Sequence, residues 1–349
     1  MALLFFDPLD HYASNTDLTR GGWGGTETPS TSGGRFGGGH IPMSGTGTAS
    51  INFSGSGTTY YLAFAFRQDT TPGSTASNAQ MVAFRQSSGA NLICEVRKTA
   101  ALGFNIENAT GSQVFAGAAG AYQLNTWHWV EVRLLVDGAA GQLEIRVDGV
   151  QVVNLTNQDF DDGAGDLDQI EFQNGTNSGN SRIDDVVVWD GSAETDSPFV
   201  NNFLGDMRLI ADVPDATTQE QWTRVGGGAA NHEAVDDALP GANDGDTTHV
   251  DGGVGVVSDI YSFPDLPGPV NAIHAVGSMV ELKKSDAGAV AQNVNTKITS
   301  GVAQATSPNY TLTTDYTMFR HVAYHDPNTS ADWLKAAADA VELELAAEI

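Results

Sequence analysis

Asp184 and Asp185 stand side by side in Ile183-Asp184-Asp185-Val186-Val187-Val188-Trp189, and a pair of carboxylates is what a glycosidase uses as acid and nucleophile. The apolar run predicts a strand, in which neighbouring side chains point to opposite faces, so the two cannot flank one bond. A second acidic group, Asp159, Asp161, Asp162, Asp166 and Asp168, offers clustered oxygens of the kind a hard cation takes. Counted from Asp159, however, Ala164 stands where an EF-hand has its glycine and Ile170 where it has its bidentate glutamate, so a solvated loop is expected. Asp236-Asp237 and Asp244 to Asp251 are read in the same way. His321 and His325 lie four apart beside Asp326. That spacing would suit a metal on a helix, but Met318 to Tyr324 reads as strand and no third ligand stands at useful spacing.

Other motifs carry less. The run Gly33-Gly34-Arg35-Phe36-Gly37-Gly38-Gly39-His40 would need Gly-Lys-Ser/Thr leading into an apolar helix to cradle a phosphate, and it has neither, so close backbone packing is its expected role. Gly-x-Ser-x-Gly, the anchor of a hydrolase triad, does not occur. Trp23, Trp127 and Trp222 could stack on sugar rings or equally fill a core, so the ligand-binding residues stay open. No catalytic, cofactor or metal residue is assigned, and a non-enzymatic protein is expected.

These residues sit on predicted strands. Val130, Val132, Leu134 and Val136 alternate with Glu131, Arg133 and Leu135, the period of a strand with one buried face. Leu143, Ile145 and Val147 repeat the pattern after Asp137-Gly138-Ala139-Ala140-Gly141, and Asp148-Gly149 then signals a type I′ turn into a third strand, Val150 to Leu155. On this pattern Val132 is indispensable to the core, whereas Glu131 faces solvent and is dispensable. Earlier runs at Leu3 to Phe6, Tyr60 to Arg67, Met81 to Arg85 and Leu92 to Val96, and later ones at Ile273 to Leu282, Asn293 to Thr299 and Thr317 to Tyr324, extend the strand series. The one good helical stretch is Asp332 to Leu343, with Asp332 as its cap and Trp333, Ala337, Ala340 and Val341 on one face. Beyond it, Leu343 to Ile349 suits helix or strand. Ser192 to Asn202 has the Ser, Pro and Asp content of a linker, which divides the chain into domains 1–196 and 197–349.

Composition narrows the partners. The 349 residues carry 43 acidic against 16 basic side chains, a formal net charge of −27. Nucleic acid and anionic membrane both demand basic patches, and the only lysines are Lys98, Lys283, Lys284, Lys297 and Lys335, so neither partner is expected. The single Cys94 lies in a strand-like run and leaves no intrachain disulfide. Residues 1 to 6 lack the basic start and apolar length of a signal peptide, and no apolar stretch approaches membrane-spanning length, so a soluble protein made in a cytoplasm is expected.

The Trp127 to Val153 triplet, with its Trp entering a long strand and its Asp-Gly hairpin, resembles the laminin-G/concanavalin-A-like jelly-roll sandwiches. That resemblance implies an N-terminal jelly-roll domain; with the later alternating runs and the one helical stretch, the chain is expected to be all-β, its second part a smaller β domain with one short C-terminal helix. Glucanases on this sandwich carry Glu-x-Asp-x-x-Glu along one strand, and no such run occurs here. Four pieces in order, Leu3-Leu4-Phe5-Phe6-Asp7-Pro8-Leu9-Asp10-His11-Tyr12, the triplet itself, Ile183 to Asp190, and Phe203-Leu204-Gly205-Asp206-Met207-Arg208, resemble structural proteins of tailed bacteriophages. Weaker matches continue through Asn231-His232-Glu233, Tyr261-Ser262-Phe263-Pro264 and Asp326-Pro327-Asn328-Thr329. This second resemblance implies a virion protein, in the tail or fibre, with capsid decoration as the alternative. It implies other virion subunits as partners and a homo-oligomer, with a trimer expected. A module binding a host receptor or host-surface glycan is the competing reading.

Overall fold

The computed structural model describes the chain except for residues 1–2, 56, 74–78, 87–88, 90, 162, 164–165, 176–178, 192–197, 200–201, 240–243, 253–254, 286, 288–292 and 349. It divides into two compact units, Met1–Leu209 and Ile210–Ile349. The boundary expected at 196/197 lies outside the described residues. The first unit runs on to Leu209 because backbone N–H groups of Leu204, Gly205 and Leu209 bond to its own strands.

Unit one is a β-sandwich of the expected jelly-roll type. Its strands are β1 Leu3–Asp7, β2 Trp23–Gly25, β3 Ile41–Met43, β4 Thr48–Asn52, β5 Thr59–Gln68, β6 Ala79–Gln86 and β7 Asn91–Lys98. They continue with β8 Phe104–Asn108, β9 Gln113–Ala116, β10 Trp127–Leu135, β11 Gly141–Val147, β12 Val150–Gln158, β13 Leu167–Gln173 and β14 Ser181–Asp190. The first sheet runs β1-β14-β5-β10-β11-β12, with β3 also on β14, and the second runs β2-β4-β13-β6-β7-β8-β9. Asp148 and Gly149 turn the β11–β12 hairpin with φ of 50° and 78°, the left-handed values a type I′ turn needs. A short helix, Asn15–Arg20, was not expected; Ser14 and Asp17 form a reciprocal capping box at its start.

The two sheets meet through the apolar half of each alternation. In the first sheet Leu62 and Phe64 pair across β10 with Val132 and Val130, and all four are buried. In the second, Phe172 and Ile170 lie opposite Val82 and Phe84. Phe64 meets Phe172 edge-on across the gap, at 5.0 Å between ring centroids. Trp189 stacks on Tyr61 at 5.0 Å, and Cys94 is fully buried, where desolvation pushes its thiol up.

Unit two is a smaller β unit. Its main sheet orders Ala216–Gln219, Val257–Ser262, Glu342–Glu348, Asn293–Ser300 and Ala303–Thr306, with Tyr310–Thr311 also on Asn293–Ser300. Ile298, Ala323, Trp333 and Val341 form one buried cluster and Tyr261, Val294 and Leu345 another. The helix is only Lys335–Asp339, because the residues after it join the sheet: Leu343 and Leu345 pair with Tyr261 and Asp259. Asp332, expected as the cap, instead lies 3.4 Å from His325.

One cation is sealed in the first unit. Lys98 is fully buried, and its Nζ donates to Asn174 Oδ1 at 3.0 Å and Ser181 Oγ at 3.1 Å, tying the second sheet to the first. Burial pulls its ammonium down to about 7, whereas a free lysine titrates near ~10.4. The unfolded chain therefore holds the proton more tightly, and the lysine costs stability that is regained as pH rises from about 7 towards ~10.4. In thermal melts, Lys98→Met should gain on wild type most at pH 7 and below, with the gain shrinking as pH approaches ~10. A difference in Tm that does not change with pH would contradict this assignment.

Candidate functional site

Each sheet of unit one has an outer face, and the two faces differ. On the first sheet Trp129, Glu131 and Arg133 of β10 point outward beside Ala65, Ala63 and Tyr61 of β5. The small alanines leave room for chain to lie over them. Glu131 is fully buried there, and its Oε1 accepts the backbone N–H groups of Leu204 at 3.0 Å and Gly205 at 2.9 Å. Burial raises the Glu131 carboxyl, and these two bonds oppose that rise. This corrects the reading of Glu131 as a dispensable surface residue: alternation shows that it leaves the core, but not that a later segment covers it. Phe203 and Phe199 add edge-on ring contacts to Tyr61 and Trp189, at 5.6 and 5.9 Å.

The paired aspartates belong to the same covered face. A β-bulge interrupts the pairing of β14 with β5 between Asp184 and Val187, and Asp185 adopts a left-handed φ of 50°. Alternation is broken, so the two carboxylates do not diverge as expected. Asp184 Oδ2 accepts the backbone N–H of Arg35 at 2.7 Å, Asp185 Oδ1 accepts that of Leu209 at 3.1 Å, and Asp185 Oδ2 lies 3.8 Å from the Arg35 guanidinium. Burial pushes both carboxyls up, and the charge of Asp185 adds to the rise at Asp184. Arg35 also donates to Met207 O at 2.7 Å and pairs with Asp206. The glycine run holds Arg35 in place: a Cβ on Gly38 would fall 1.7 Å from Asp10 Oδ1, and one on Gly34 would fall 2.1 Å from Gly39 O. Close backbone packing is thus what these glycines provide.

On the second sheet the outward row is mostly polar, with Glu171 and Glu107 half-exposed at its ends and Ala83 and Glu95 buried between them. Glu171 of β13, Ala83 of β6, Glu95 of β7 and Glu107 of β8 stand in register across four strands. Arg97 reaches Glu95 Oε2 at 2.9 Å and Glu107 Oε1 at 2.7 Å, while Arg85 reaches Glu171 Oε1 at 3.0 Å. Burial raises the Glu107 carboxyl, and Arg97 offsets the rise. Gln173 donates to Glu171, and Gln169 Nε2 donates to Asn52 Oδ1 at 2.8 Å. Two ion-paired groups thus flank the small Ala83. Such a face presents donors and acceptors already held in place, which lowers the ordering cost of binding a hydroxyl-rich ligand. The sequence carries its signal in the polar half of alternating runs such as Gln169-Ile170-Glu171-Phe172-Gln173.

The residues singled out from the sequence lie elsewhere. Trp23 is core and donates to Asp7 Oδ2 at 3.0 Å; Trp127 is half-buried opposite Arg67 on the first sheet; Trp222 donates to Val257 O at 3.2 Å in unit two. His321 lies on a strand opposite Ser278, and His325 lies beyond its end beside Asp332. Of the acidic loop, Asp162 is outside the described residues. Among the described residues no group of three or more His, Cys, Asp or Glu is placed to hold a metal ion.

No family model and no curated protein matches the chain. Solved structures of similar fold include an alginate lyase, 14% identical with a TM-score of 0.37, matched over 53% of this chain and 96% of that one. A carbohydrate esterase from the Shiga toxin-encoding bacteriophage phi24B is 17% identical with a TM-score of 0.36, over 54% of this chain and 100% of that one. The carbohydrate-binding module CBM66 from Bacillus subtilis is 13% identical with a TM-score of 0.31, over 48% and 96%.

The covered face sets the expected outcome here. Removing the Glu131 carboxylate leaves two buried N–H groups without their acceptor, a loss of about 1–3 kcal/mol. Glu131→Ala should lower stability by that amount in denaturant melts and speed amide exchange at Leu204 and Gly205, while Glu131→Gln, which keeps an acceptor, should lose less. Wild-type stability and exchange in Glu131→Ala would contradict the role given to this carboxylate.

Proposed function

We propose that this chain is a non-enzymatic structural protein of a tailed-phage virion, in the tail or fibre, and that the outer face of its second sheet binds glycans of the host surface. The observation that carries the reading is the ordered polar row on the outer face of the second sheet, in which Arg85, Glu171, Arg97 and Glu107 are half-exposed and Glu95 is buried beneath Arg97. Its ligand is a neutral glycan, because three carboxylates against two guanidiniums on a chain of net charge −27 repel polyanions. Recognition would come from hydrogen bonds to hydroxyls, since none of the three candidate tryptophans stands on this face.

The non-enzymatic part rests on the state of the carboxylates. Asp184 and Asp185 are buried and bonded to backbone N–H groups, and Glu95 and Glu107 share one arginine, so neither pair has an acid and a base free to flank a glycosidic bond. Placement in a virion is supported by where the phage-like pieces lie. Residues 3–12 contribute β1, residues 183–190 most of β14, and residues 203–208 the cover of that same sheet, so the resemblance traces one shared construction.

The test is binding of the purified chain to neutral host-surface polysaccharide, with mass spectrometry of purified virions. Saturable binding is expected, weakened about tenfold or more in Arg85→Ala with little change in Tm, together with stoichiometric copies in the virion. Absence of binding, or binding indifferent to Arg85, would overturn the glycan assignment. Absence from virions would overturn the structural one.

A further inference from the structure

On the outer face of the first sheet the covering segment lies over Glu131 and Tyr61, and Arg35 lies over the Trp129 ring and bonds to Asp184. One row further along that face, Trp127 of β10, Arg67 of β5 and Arg182 of β14 stand opposite one another across three adjacent strands. All three are half-exposed, and the two arginines each keep 27% of their side-chain surface accessible.

Guanidiniums facing each other on neighbouring strands repel, and here one carboxylate stands between them. Asp69 Oδ1 lies 2.8 Å from Arg67 Nε, and Asp69 Oδ2 accepts from Arg182 Nε at 2.8 Å. Both arginines are thus held by their Nε edge, which leaves the terminal nitrogens. Arg182 Nη1 donates to Gly33 O at 3.1 Å; among the described residues the Nη groups of Arg67 have no acceptor. Burial first, and the Arg182 charge next, hold the neighbouring His40 imidazole down at about 4, so it adds no charge at pH 7.

Two guanidiniums against one carboxylate leave this row positive on a chain of net charge −27. The balance is the reverse of that on the second sheet. A singly charged anion can approach here, and a guanidinium fork matches the geometry of a carboxylate. Trp127 adds a second requirement. Neighbouring strands lie ~4.8 Å apart, so the indole is one strand from Arg67 and two from Arg182. A sugar ring lying on the half-exposed indole places a carboxylate attached to that ring over the two guanidiniums.

We propose that Trp127, Arg67 and Arg182 form a binding site for one hexuronate unit, with the indole under the sugar ring and the guanidiniums on its carboxylate. The site does not rest on the neutral-glycan reading, since it lies on the other sheet and takes a ligand of the opposite charge preference.

The test follows amide and indole N–H shifts of the full chain during separate titrations with methyl glucuronide, methyl glucoside and acetate. The glucuronide should move the Trp127 indole N–H and the Arg67 and Arg182 amides saturably, and bind about tenfold or more tighter than acetate. The glucoside, which lacks the carboxylate, should leave all three unmoved. Arg67→Gln and Trp127→Ala should each weaken glucuronide binding about tenfold or more with an unchanged melting curve, and the three-ligand comparison on wild type stands even if a variant does not fold. No saturable shift with the glucuronide, equal shifts with the glucoside, acetate binding as tightly, or binding indifferent to both substitutions would each overturn the proposal.

Discussion

A sandwich buries one face of each sheet by construction, and what covers the other face must be specified separately. In this chain a buried carboxylate specifies it for the first sheet. Glu131 sits in the middle of the central hairpin and captures the N–H groups of Leu204 and Gly205, laying the end of unit one across β10 and β5. Leu209 is fixed in turn by Asp185, and Met207 by Arg35, which is itself held through its backbone by Asp184. Three carboxylates, Glu131, Asp184 and Asp185, are thus acceptors for backbone N–H groups, which are costly to bury without a partner.

The consequence is an asymmetric sandwich. One sheet is covered on both sides over β14, β5 and β10, and its neighbour keeps an outer face lined with ion pairs and amides. There the arginines do the organising: Arg97 holds two glutamates from adjacent strands and Arg85 holds a third. The half-exposed Arg85–Glu171 pair contributes little stability on its own, whereas Glu95 is buried beneath Arg97.

Local features were legible in the sequence, and features set by distant chain were not. The Asp148-Gly149 turn, the alternation of β10 and β11 and the core position of Val132 depend only on neighbours, and each could be read directly. Glu131 looked solvent-facing because alternation reports which side of a strand a residue is on and not what lies over it. The Asp184-Asp185 pair was placed on opposite faces because the bulge, with its left-handed Asp185, is held by contacts to Arg35 and Leu209 far along the chain. Phe203 to Leu209 follows a linker-like stretch and so reads as second domain, yet its backbone N–H groups donate to carboxylates of the first. The helix after Asp332 was overextended for the same kind of reason: sheet pairing claimed Leu343 and Leu345.

If covering one outer face leaves the other to bind glycan, as proposed, the two faces must respond differently to ligand. Amide chemical-shift mapping of the full chain during titration with a bound neutral glycan tests it most directly. The account predicts shifts concentrated on β13, β6, β7 and β8, around Glu171, Ala83, Arg97 and Glu107, with β10, β14 and residues 203–209 unmoved. Shifts centred on Glu131, Asp184 and the covering segment, with the polar row silent, would contradict it.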